Sequence, residues 1–63
     1  MLSDFYRLTR DGREIIEERG KMTADELAQV AARIRAEALQ GFENAMRHVI
    51  ELNGYARAIR KSD

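Results

Sequence analysis

Two places in this 63-residue chain carry residue types that could bind an anion or a metal. The first is Glu43, Arg47, His48 and Glu51. If that segment is helical, Glu43 and Arg47 are spaced for an i,i+4 ion pair worth about 0.3–0.5 kcal/mol. Unpaired, Arg47 would instead offer a planar fork of donors suited to phosphate. His48 has Glu51 one helical turn away, yet a carboxylate-bridged metal site in a bundle calls for Glu-x-x-His spacing with glutamates on facing helices. That order does not occur here. The second place is Tyr6-Arg7, an aromatic ring beside a guanidinium, able to stack on a base and hold a phosphate. Lys21 adds a cation just before a helix start, where free backbone N–H groups attract anions. There, however, Thr23 and Glu26 use two of the donors, and Asp25 and Glu26 add negative charge.

Catalysis has little to draw on. Nucleophile–base pairs, carboxylate pairs with separated pKa values and multi-ligand metals all need groups this chain lacks. It has one histidine and no cysteine; its serines are Ser3 and Ser62, and its threonines, Thr9 and Thr23, suit caps. The expectation is a non-enzyme without metal or cofactor, with Tyr6, Arg7, Lys21 and Arg47 as ligand-binding residues.

The elements that would position these groups are read from one corner. Gly20 can take the left-handed conformation that ends a helix, and Thr23 with Glu26 forms a capping box that starts the next. Met22 and Leu27 occupy the positions of a hydrophobic staple. With no proline and an interior rich in Ala, Leu, Glu, Arg and Gln, the chain reads as all-α: a single domain over residues 1–63, built as a helical hairpin with a short first helix and a long second one.

Apolar or small residues recur in a three-four alternation from Leu27 through Val30, Ile34, Ala38, Phe42, Ala45 and Val49 to Leu52, which predicts one continuous helix from Ala24 to Leu52. Gly41 is kept inside it, since no capping residue follows. Asn53-Gly54, with Tyr55 folding back on Ile50, is taken as its end; the competing reading continues through Ala56 and Ile59. The first segment has two readings. In one, a helix runs from about Ser3 to Arg19; in the other, Thr9 caps a shorter helix behind an extended arm. Both bury Ile15 and Ile16.

A helix over residues 24–52 would be about 43 Å long and its partner about 26 Å. Its unmatched apolar end, with Phe42, Met46, Val49 and Ile50, predicts self-association into a helical bundle. The expected oligomer interface is Ile34, Gly41, Phe42, Ala45, Met46, Val49 and Leu52. A 63-residue chain that buries only about 60% of its unfolded surface, with no cysteine to staple it, favours the same outcome.

Two resemblances bear on function. The stretch from Leu39 to Val49, with its Gly41-Phe42 and Arg47, resembles the long helix of phage-encoded anti-CBASS sponge proteins, and Tyr6-Arg7 resembles the start of their first helix. That resemblance implies an oligomeric helical hairpin that sequesters cyclic nucleotide immune signals without cleaving them. Leu8, Thr9 and Gly12 resemble the Leu-Thr-x-x-Gly stretch closing the wing of many winged-helix regulators. This implies a dimerisation fragment, though one without the recognition helix that DNA binding needs. The main alternative to sequestration is a protein-interaction module, a regulator or inhibitor engaging a partner through the apolar helix face.

Eleven basic residues balance eleven acidic ones, so duplex nucleic acid and anionic membranes are not expected as partners. Arg57, Arg60 and Lys61 read as cations complementing a helix C-terminus. No apolar run approaches the ~20 residues of a membrane span, no signal peptide is recognisable, and the absence of cysteine suits a reducing compartment. The expected location is cytoplasmic.

Overall fold

Asp11-Gly12 is the pivot of the first third of the chain. Both residues have positive φ, 53° and 78°, as the two central positions of a tight type I′ connection require. On either side, β1 (Phe5–Arg10) pairs antiparallel with β2 (Arg13–Glu18), with Arg10 opposite Arg13 and Phe5 opposite Glu18. The structure is a computed structural model and describes residues 2–41 and 43–62. A 3-10 turn over Arg19–Lys21 leads to α1 (Ala24–Ala38), and α2 (Glu43–Ser62) follows.

The all-α expectation is therefore overturned. Residues 5–18 form a β-hairpin where one reading of the first segment placed a helix throughout and the other a helix after an extended arm, and Thr9 is a strand residue and no cap. Period-two alternation explains the result: Tyr6, Leu8 and Ile15 point toward the helices while Phe5, Arg7 and Ile16 point away. Ile15 packs against the core, but Ile16 is exposed, against expectation.

The corner at Thr23 is as expected in its second half. The Thr23 hydroxyl accepts from the Glu26 N–H at 3.1 Å, and the Glu26 carboxylate accepts from the Thr23 N–H at 3.0 Å. Met22 and Leu27 are both buried in one cluster. Gly20 ends no helix; it sits in the 3-10 turn, without positive φ.

The single long helix is also corrected. α1 stops at Ala38, and its last turn tightens as Gln40 N–H donates to Glu37 C=O and Gly41 N–H to Ala38 C=O, both at 3.0 Å. Gly41 then takes φ 111°, where a side chain would be strained. The short connection folds α2 back along α1, and Arg60 near the end of α2 reaches Asp25 at the start of α1 at 3.1 Å. Asn53-Gly54 does not end α2, which runs on to Ser62. Tyr55 packs against the core beneath the Arg19 guanidinium, 5.1 Å from its ring centre, and Ile50 is exposed.

The core is shared by β1, α1 and α2, with Ile15 of β2 partly buried against it: Tyr6 and Leu8 from β1, Leu27, Val30 and Ala31 from α1, and Val49, Leu52 and Ala56 from α2. Of the apolar end expected to outrun its partner, Val49 is covered by the same chain, Met46 and Ile50 are exposed, and Phe42 lies outside the described residues. At 15 and 20 residues, α1 and α2 are about 22 and 30 Å long. Length mismatch gives no reason for a second copy.

Candidate functional site

The β-hairpin has two unlike faces. Arg10 closes the inner one: its guanidinium grips Glu26 with two bonds, Nε to Oε2 at 2.6 Å and Nη2 to Oε1 at 2.8 Å, and reaches Glu17 at 3.0 Å. Arg10, followed by the Thr23 N–H, holds the Glu26 carboxyl down at about 2. The Glu18 N–H, then Arg10, lowers Glu17, and both carboxylates raise Arg10. These bonds dock the strands on the start of α1, and their charges are spent on one another.

The outer face consists of Phe5, Arg7 and Thr9 on β1 and Glu14, Ile16 and Glu18 on β2, all exposed. Phe5 and Ile16 are diagonal neighbours across the strands, 57% and 68% exposed. Beside them α1 contributes Val30, Arg33, Ile34 and Glu37, which share one helix stripe by their i, i+3, i+4, i+7 spacing. Together with Phe5, Tyr6, Arg7 and Ile16 they line an open groove of about 520 Å³. Arg33 pairs with Glu14 at 3.1 Å and ties α1 to the outer strand face. The groove has an apolar floor and charged margins, so it can take apolar side chains and orient them by charge.

The four expected ligand-binding residues do not converge. Tyr6 and Arg7 line the groove, whereas Lys21, in the 3-10 turn, and Arg47, exposed on α2, are absent from its walls. Tyr6 is largely buried. Its hydroxyl accepts from the Ser3 N–H at 2.8 Å and also meets His48 Nε2, with the two rings tilted by 50°. His48 thus serves as a polar partner for a core tyrosine. Among the described residues no group of three His, Cys, Asp or Glu side chains could hold a metal ion.

Of the expected interface residues, Val49 and Leu52 are buried in the chain's own core, and Ile34 is partly buried against it. Ala45 is half-buried, Met46 is exposed and Gly41 lies exposed in the turn. Phe42 and the Glu43 side chain, with its expected pairing to Arg47, lie outside the described residues.

Sequence reasoning missed Phe5, Ile16, Arg33 and Glu37 as site residues. The signal for the first two was available: Asp-Gly between alternating strands is a strong hairpin signature, and it puts Phe5, Arg7 and Ile16 on one face. The second wall could not be read without knowing how α1 sits beside the strands. Among the described residues no helix is long and apolar enough to cross a membrane. Compared with models of protein families, with curated proteins and with solved structures, the chain matches none.

Proposed function

We propose that this protein is a non-enzymatic interaction module that docks apolar side chains of a protein partner in the groove between the β-hairpin and α1. One observation carries this reading: Phe5 and Ile16 stand largely exposed on the same strand face, directly beside the Val30–Ile34 recess. Large apolar residues gathered at a concave, polar-rimmed surface mark interfaces more often than they mark ordinary solvent-facing surface. The test is photo-crosslinking in cells from a benzoyl-phenylalanine placed at position 16, with position 57 on α2 as control. A discrete product from position 16 that disappears in Phe5→Arg is expected. No product, or one that is equally strong from position 57, would remove the docking reading.

A second reading, sequestration of a cyclic nucleotide, is favoured by the groove volume, which lies within the usual range for small-molecule sites. Arg7 and Arg33 beside the Phe5 ring supply donors and a stacking surface. Lys21 and Arg47 take no part in it, which is why the interaction module comes first. Calorimetric titration with cyclic di- and trinucleotides separates the two: saturable binding lost in Arg7→Ala supports sequestration, and no heat across the panel ends it.

A further inference from the structure

Resting on the docking reading above, we propose that the groove is occupied by the same surface of a second copy of this chain, two protomers meeting across a two-fold axis. Arg7 from the β-hairpin and Glu37 from the last turn of α1 line the groove from opposite walls. Both are exposed, and neither makes an ion pair among the described residues. The third charge, Arg33, is already engaged by Glu14. Among the charged residues lining the groove this leaves one cation and one anion without an ion-pair partner in the described residues, which makes the groove its own electrostatic complement. In an isologous dimer each contact occurs twice, so Arg7 of either copy meets Glu37 of the other. A partner of one charge sign would leave one of the two unmatched.

The apolar part has the same self-matching character. Phe5 rises from the strand face, and Val30 lies buried deeper in the groove, so each copy offers both a projection and a recess. Charge does not oppose the encounter, because eleven basic and eleven acidic residues leave each copy neutral. A standard interface takes about 800 Å² per partner, about a sixth of the 4823 Å² that this chain exposes. That burial adds to a core that is small in a 63-residue domain.

Sedimentation velocity on the purified full chain tests the proposal with two charge reversals, Arg7→Glu and Glu37→Arg. The parent is expected to dimerise in the micromolar range. Each variant alone should associate about tenfold or more weakly, because two symmetry-related contacts become repulsive. An equimolar mixture of the two variants should recover the dimer, since the heterodimer restores both opposite-charge contacts. Circular dichroism should be unchanged throughout, both positions being exposed. A parent that stays monomeric at high micromolar concentration, or a mixture no better associated than its components, overturns the second copy as occupant. In that event the cellular crosslink from position 16 separates the two failures. A discrete product of mass other than twice the chain leaves the docking reading standing with another partner, and no product removes both.

Discussion

The inner and outer faces of the β-hairpin are made from alternate residues of the same two strands, yet they do opposite work. On the inner face Tyr6 and Leu8 disappear into the core and Arg10 is spent on Glu26 and Glu17. On the outer face Phe5 and Ile16 remain in water and Arg7 has no ion-pair partner among the described residues. Composition alone would not separate them, since each face holds two or three large apolar side chains and at least one arginine. The difference lies in what each face meets: two helices on one side, an open groove on the other. Apolar character stabilises the fold where a face is covered; where it is not, it is what the docking proposal rests on.

The sharpest way to break this contrast is to truncate one apolar residue on each face. Leu8, only 1% exposed, should cost about 2–5 kcal/mol on conversion to Ala. In dilute solution Ile16→Ala should change stability by no more than about 0.5 kcal/mol. Urea unfolding of both variants measures this, and comparable losses would show that the outer face is not a free surface.

The two threonines give a smaller contrast of the same kind. Thr23→Ala should cost about 1 kcal/mol by removing the cap of α1, while Thr9→Ala on the exposed strand face should stay within about 0.5 kcal/mol. Thermal melts of the pair decide it, and equal shifts would mean that Thr9 has a structural role its position does not reveal.

The finest contrast is in pH dependence. Glu26 titrates at about 2 when folded, below the ordinary glutamate value of about 4.3. A depressed folded pKa means that the unfolded chain takes up protons first as pH falls. The stabilisation from Glu26 is therefore complete above about pH 5 and is lost progressively between there and about pH 2. Glu17, also lowered, acts in the same direction. Glu26→Gln should flatten that part of a urea-midpoint titration, and an unchanged slope would show that the Arg10–Glu26 pair contributes nothing to it.

Legibility in the sequence followed the range of the interaction. The capping box was readable because Thr23 and Glu26 satisfy each other's backbone within four residues. The Asp11-Gly12 turn was equally local, but its signal was outweighed by the general helix-forming composition of the chain. Gly41 and Gly54 show the limit of such reasoning. Each interrupts a helical stripe without a following cap, yet one stops a helix at φ 111° and the other lies within α2. The candidate site was half readable: Arg7 was named, Tyr6 proved to be a core residue that also touches the groove, and of the α1 wall only Ile34 was named, as an interface residue.

The sequence by itself determined where α1 begins and which residues of its stripe are apolar, because capping and periodicity are satisfied within a turn or two of helix. Tertiary structure decided which glycine breaks the helix. Turning at Gly41 lets Val49, Leu52 and Ala56 cover Leu27, Val30 and Ala31, whereas a straight helix would leave both sets facing water. A break at Gly54 would divide the buried α2 stripe between Leu52 and Ala56. The groove was decided in the same way, by α1 coming to lie beside a strand face whose apolar residues have no helix to cover them.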